Sequence, residues 1–269
     1  MLDAVVLSLD EMQFLLEKLQ ISQVPIVLDA VPRHDTDVAR MHAYSAVTQS
    51  LSARGLLNGE TVHADLEDRL RALDRPHWAL AVRWYLNGDV HRLCIAKGDA
   101  MEVTALRGPD SYVIDEASHD LPGTVIAALG PSAPLELDGM NVLADELKPI
   151  LNDAGDSTST AQRLTRVGRP PRDAVTLAAA LVEVHSHASI VGVVYGDGTR
   201  EIADGMIAVF NTRNGRFIAT TTRSDDDTQW TSLATGTNSR LRTAIRDLIQ
   251  KLPLRAEFNP SFNPAQGII

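Results

Sequence analysis

The chain repeats itself, and that constrains its fold more than any single motif does. The stretch from Asp74 to Leu129 is echoed, in order and at similar spacing, by the stretch from His185 to Leu252. Each opens on an alternating apolar run, HWALAVRWYL at 77–86 and ASIVGVVYG at 188–196, and then a glycine turn, Asn87-Gly88-Asp89 or Gly196-Asp197-Gly198. Alternation at period two marks a strand with one face buried. Asn-Gly tolerates the positive φ that a tight hairpin demands. Further short β-rich runs follow, and each stretch closes on a helical segment, LPGTVIAAL at 121–129 and NSRLRTAIRDLIQKL at 238–252. Two such units most simply build one pseudo-symmetric body with a continuous sheet surface.

Between these units the local signals are readable. AVVLS at 4–8 reads as a strand leading into a helix over 9–20, with Ser8 and Glu11 forming a capping box. VPIVL at 24–28 reads as extended, because of Pro25. Helices are expected at 35–54, stopped by Gly55, and at 64–73. Strands follow at 77–86, 90–97, 100–107 and 110–115. The run 130–139 reads as a loop, and 142–153 as a helix kinked or shortened by Pro149. A polar linker at 153–160 offers serines and threonines to cap a helix reaching about Val167, and 172–185 is a buried helix. The second meander has strands near 188–196, 200–210, 216–223 and 228–233, with a turn at Arg213-Asn214-Gly215 and an acidic loop at Ser224–Asp227. After Pro253 the sequence loses periodicity and reads as a frayed tail over 254–269. The expected organisation is a single domain over 1–253, made of two related halves of about 1–135 and 136–253.

Composition narrows the function. A net charge of −10 repels phosphate backbones and anionic lipid, so nucleic acid and membrane surfaces are poor partners. No window approaches the 18 or so apolar residues needed to span a bilayer, and MLDAVVLSLDEMQ lacks the basic start of a signal peptide. A soluble, cytosolic protein is expected. The lone cysteine, Cys94, falls in a strand interior and reads as a small core hydrophobe.

Catalytic signatures are missing. The chain has no phosphate-binding glycine loop and no G-x-S-x-G elbow. His185 and His187 form an H-x-H pair, the best metal candidate, but at a helix-to-strand junction where a shared face is uncertain geometry. Asp225, Asp226 and Asp227 lack the alternate ligands of a calcium loop. Trp78 and Trp84 share one strand face, and Trp230 reads either as core or as an exposed aromatic platform.

Several segments carry a family resemblance: VVLSLDEMQFLLEKLQISQVPIVL (5–28), DRPHWALAVRWY (74–85), CIAKGD (94–99), LPGTVIAALGPSAP (121–134) and GRFIATTTRSDDDTQWTSLATGTNSRLRTAIRDLIQKLP (215–253). Together they resemble the ESX (type VII) secretion-associated EspG family over nearly the whole chain. The resemblance implies an α+β fold with a central antiparallel β-sheet flanked by helical bundles in two pseudo-symmetric halves. It implies a cytosolic chaperone without enzymatic activity or cofactor. Its partner would be a PE–PPE heterodimer, held by the apolar tip of the PPE helical bundle. The grip would come from the sheet surface, a loop between two strands of the first half, and the C-terminal helical bundle. Carried over by position, that loop is Leu86 to Val90, with Asn87, Gly88 and Asp89 at its tip. On the sheet the expected contacts are Thr220, Thr222 and Trp230, joined by Arg240 at the start of the last helix. Two other readings compete: a regulatory or scaffold domain that forms a homodimer through an exposed strand edge, and a metal-dependent hydrolase around His185 and His187.

Overall fold

A computed structural model describes residues 2–153, 155–168, 170–196 and 199–254. The chain opens with β1 (Val5–Ser8), α1 (Leu9–Lys18), a 3-10 turn at Ile26–Leu28, α2 (Asp37–Ala53), a small hairpin of β2 (Leu57–Asn58) and β3 (Thr61–Val62), and α3 (Ala64–Ala72). A meander follows, β4 (Trp78–Leu86), β5 (Asp89–Lys97), β6 (Glu102–Arg107) and β7 (Ser111–Glu116), and then α4 (Leu121–Leu129). The same order recurs: β8 (Met140–Leu143), three helices α5 (Ala144–Asn152), α6 (Ser157–Arg166) and α7 (Pro171–Leu181), then β9 (Val184–Tyr195), β10 (Arg200–Thr212), β11 (Gly215–Arg223), β12 (Gln229–Thr235), and α8 (Asn238–Gln250).

Among the described residues ten strands form one sheet, ordered β1-β7-β6-β5-β4-β9-β10-β11-β12-β8. That order reads symmetrically about its middle. The first strand of each half closes its own meander, and the halves join where β4 pairs antiparallel with β9, Trp78 opposite Val194 through Leu86 opposite Ser186. The expected α+β architecture of a helix-flanked antiparallel sheet in two pseudo-symmetric halves is what forms.

The helices distribute unequally over the two sheet faces. Trp78, Leu80, Val82 and Trp84 of β4 lie with Ile190, Ile207, Val209 and Ile218 on one face, beneath Val125 of α4 and Leu241, Ile245 and Leu248 of α8. This core is unbroken from one half to the other. On the opposite face there are two separate cores. One packs Met12, Leu15, Leu51, Leu66 and Leu70 of α1–α3 against Ala81, Cys94, Ala96 and Ile114. The other packs Leu147, Ile150, Leu164 and Leu177 of α5–α7 against Val142, Phe217, Ala219 and Leu233.

Local chemistry explains where elements begin. The Ser8 hydroxyl accepts from the Glu11 amide at 3.1 Å, and the Glu11 carboxylate accepts from the Ser8 amide at 2.8 Å. That buried carboxylate also receives the Ser50 hydroxyl at 2.7 Å and Arg54 at 3.2 Å, so the cap doubles as the joint between α1 and α2. At the β4–β5 turn, Asn87 and Gly88 both take positive φ, 54° and 91°, as the hairpin type requires. Gly215 has φ +125°, and a Cβ there would sit 2.7–2.8 Å from backbone atoms of Pro134 and Leu135.

Several expectations need correction. Residues 142–153 are not one helix: Met140–Leu143 is a strand hydrogen-bonded to β12, with Met140 and Val142 buried, and α5 starts at Ala144 and carries Pro149 inside it. Pairing with β12 overrode the local helical pattern. The signal was present, since Asp10-Glu11-Met12 after β1 is matched by Asp145-Glu146-Leu147 after β8. The segment 24–28 is not extended; Pro25 starts a 3-10 turn that drives Leu28 into the core and leaves Asp29 left-handed at φ 50°. The cap of α6 is Asp156, not a serine or threonine; its carboxylate accepts from the Thr158 and Ser159 amides at 2.9 Å. α7 ends at Leu181, so His185 and His187 lie inside β9 and not at a helix end. Asp197 and Gly198 of the second glycine turn, and 255–269 of the expected tail, lie outside the described residues.

Candidate functional site

Where the two bundle cores stop, the sheet is uncovered. The strip between them consists of the C-terminal half of β4 and the facing positions of β9 and β10. Register fixes its floor: Tyr85 stands opposite His187, His187 opposite Phe210, and Phe210 opposite Phe217. Residues directly opposite share a face, and the four rings form a ladder. Tyr85 and His187 stack at 4.6 Å, His187 and Phe210 at 6.5 Å, and Phe210 and Phe217 at 4.7 Å. Phe217 is buried in the second bundle core, Tyr85 and Phe210 are half-buried, and His187 is exposed. Burial of its ring face, and then the nearby Arg83, hold the His187 pKa below its ordinary value. The imidazole is therefore neutral near pH 7, an aromatic surface more than a charge.

Further along β10 the strip becomes aliphatic. Ile202 pairs with Val193 and Met206 with Val191, placing both on the bundle face. Ile202 is 72 % exposed and Met206 41 %, and the loop after α1 presents Ile26 at 61 % and Val31 at 60 %, both lining a cavity of about 510 Å³ with Tyr195 of β9 and Arg200 of β10. Scattered apolar residues are normal on a surface, but several converging on one uncovered sheet strip mark an interaction site. From β4 to β10 the strip spans roughly 10 Å, two strand spacings, about the diameter of one α-helix.

The residues expected from sequence fall into two places. Asn87, Gly88 and Asp89 form the exposed β4–β5 turn, at the end of the strip beside Tyr85. Thr220, Thr222 and Arg240 come together elsewhere, on the other face, where they line a groove of about 670 Å³ between α8 and strands β10 and β11 with Ile218, Thr243 and Asp247. Trp230 stands opposite Thr222, on that same face, and is 41 % exposed. The two clusters lie roughly 20 Å apart by strand geometry.

The histidine pair does project to one face of β9, as alternation requires, with His187 in the ring ladder. Among the described residues no group of three His, Cys, Asp or Glu side chains converges as metal ligands. Cys94 is fully buried and its thiol pKa is pushed up by desolvation. Sequence reading missed Tyr85, His187, Ile202, Met206 and Phe210 as one surface. Hairpin register could have found the first part, because Asn87-Gly88 fixes the frame of β4.

Fold and surface together define an α+β platform protein, one face of its sheet joined in an unbroken core under α4 and α8 and the other open between two helical bundles. The EspG family model matches residues 8–247, and the chain belongs to the EspG family. It is 25 % identical over 268 residues to the ESX-1 secretion-associated protein EspG1 of Mycobacterium tuberculosis, covering 97 % of this chain and 91 % of that protein. It is likewise 25 % identical over 254 residues to EspG1 of Mycobacterium marinum, covering 91 % of this chain and 88 % of that protein. In fold it matches the Mycobacterium tuberculosis type VII secretion system chaperone EspG5, solved in complex with the PE25–PPE41 dimer. The TM-score is 0.74 at 15 % identity, over 93 % of this chain and 97 % of that one. No helix among the described residues is long and apolar enough to cross a membrane.

Proposed function

We propose that this chain is a cytoplasmic chaperone of type VII secretion. It binds the apolar tip of a PPE protein within a PE–PPE heterodimer, keeps the pair soluble and directs it to its secretion system. It acts by contact alone, with no turnover and no cofactor. The observation that carries this reading is the uncovered strip, whose exposed Ile26, Val31, Ile202 and Met206 sit in a gap as wide as a helix on an EspG-family fold. A helical tip laid in that gap removes apolar surface from water on both partners.

In this reading Asn87, Gly88 and Asp89 rim the seat at the Tyr85 end. Thr220, Thr222, Trp230 and Arg240 form a separate contact on the other face. The domain formed by 1–253 acts as one body, with halves of about 1–135 and 136–253, because β4 and β9 fuse the two meanders. Co-expression with the PE–PPE pairs of its own genome is the test. A ternary complex that survives size exclusion is expected with at least one pair, and Ile202→Asp is expected to abolish it. Failure of the unaltered chain with every pair overturns the reading. Arg240→Glu in the same assay decides whether the far face takes part.

A further inference from the structure

We propose that the open strip also reads charge, and that Arg83 selects a client helix carrying a carboxylate. This rests on the seat proposed above. Cross-strand register places Arg83 on β4 opposite Arg92 on β5, and Arg92 opposite Arg107 on β6, a row of three cations on the bundle face. Like charges directly opposite each other destabilise a sheet, so such a row needs a reason. Two of the three are accounted for. Arg92 reaches the Asp29 carboxylate at 3.1 Å and Arg107 the same oxygen at 3.7 Å, and Arg107 also donates to the Tyr112 hydroxyl at 3.2 Å.

Arg83 has no such partner: among the described residues no carboxylate pairs with it, and its guanidinium lies 5.0 Å over the Tyr85 ring. It is the one exposed position from Trp78 to Trp84 on a strand that is otherwise buried. The charge therefore stands free at the edge of the apolar strip, with the neutral ring of His187 beside Tyr85 and the exposed His185 further along β9. The whole chain is strongly acidic, at −10, yet among the described residues the carboxylate paired with this row is Asp29, which meets Arg92 and Arg107 and not Arg83.

The complement is an acidic side chain, because a guanidinium fork and a carboxylate match in two parallel hydrogen bonds. Geometry places it. Arg83 lies two strand spacings across the strip from Met206 and one side-chain repeat along it, an axial offset of roughly 6.6 Å, a little over the roughly 5.4 Å of one helical turn. A client helix lying along the gap and seating an apolar residue on Met206 would therefore present its Asp or Glu about four to five residues away, on the flank turned toward β4.

The experiment is calorimetric titration of the full chain with a purified PE–PPE pair that the unaltered chain captures in co-expression. Salt of about 50 mM and about 500 mM brackets the range over which exposed charges are screened. The expected result is that Arg83→Gln binds about tenfold more weakly at low salt, and that the gap closes at high salt. Equal affinity of Arg83→Gln and the unaltered chain at both salts, with Ile202→Asp abolishing binding, overturns the charge role and leaves the seat standing. Unchanged binding by Ile202→Asp, or no capture of any pair, overturns the seat and this proposal with it. Thermal melting separates a structural role: Arg83→Gln should melt no lower than the unaltered chain. A lower melting point would assign Arg83 to holding Tyr85 in place and overturn the proposal.

Discussion

The two faces of the sheet are made from the same strands and end up with opposite properties. Under α4 and α8 the side chains of both meanders merge into one apolar layer from Leu121 to Leu252. Under the two three-helix bundles the layer is split, one part around Leu15 and Leu70 and the other around Leu164 and Leu177. The difference follows from the repeat. A single helix closing each meander leans inward over the shared centre, whereas the bundles start from β1 and β8 at the two outer edges. They cover the flanks and leave the middle bare. The face under α4 and α8 holds the unbroken core, and the split face leaves a bare strip that the proposed function assigns to the main contact.

That division is open to attack, beginning with the largest effect. Leu241→Ala on α8 cuts into the unbroken layer, where Leu241 is fully buried. Chemical denaturation should show a loss of about 2–5 kcal/mol, the range for leucine cavities in a packed core. A loss under about 1 kcal/mol would mean that α8 is a loosely held flap. Gly215→Ala comes next. The added methyl would meet the backbone of Pro134 and Leu135 at 2.7–2.8 Å, in a conformation that side chains disfavour. A cost of about 1–3 kcal/mol is expected from such strain, read from the same unfolding curves.

Ile202→Asp on the open strip should leave stability within about 0.5 kcal/mol, as befits an exposed position. Its expected effect is on client capture, weakened more than tenfold, or beyond about 1.4 kcal/mol. Equal loss of folding and capture would erase the distinction between the faces.

The smallest effect belongs to His187. Burial and Arg83 hold its folded pKa below the ordinary 6.5. On acidification the unfolded chain takes up the proton first, so the stability linked to this group is present above that ordinary value. It is lost as pH falls through it toward the lower folded pKa. His187→Gln should therefore shrink the drop in thermal midpoint between pH 7.5 and pH 5.5. Tyr85, Phe210, Arg83 and His185 are the neighbours that must stay unchanged in that comparison. A larger drop in the variant would reverse the sign and sink the account.

Much of this fold was legible in the chain because its signals are local. Asn87-Gly88 set the β4–β5 hairpin, Ser8 and Glu11 set the start of α1, and Gly55 its left-handed stop after α2 at φ 68°. What escaped was set by distant partners. Met140–Leu143 is a strand because β12 is beside it, and β9 starts at Val184 because Leu86 and Asn211 pair with Ser186 on either side. The open strip was hidden for the same reason. Ile202 and Val193 are both apolar residues of strands on one face, and sequence alternation treats them alike. Only the placement of the bundles leaves one bare and the other covered. Arg83 and Arg92 are the exception, since the Asn87-Gly88 turn aligns them without coordinates, whereas Arg107 comes opposite Arg92 only because β6 starts at Glu102 and not at residue 100.

The seam between β4 and β9 carries one last implication. It lies at the centre of the platform and is laced by backbone pairs along the full length of β4. Bending one half against the other would tear that lacing, so the two meanders are expected to keep one placement relative to each other, loaded or empty. On the chaperone reading proposed above, cargo would conform to a fixed mould, and letting go would come from a rival for the cargo and not from a change of posture in the carrier.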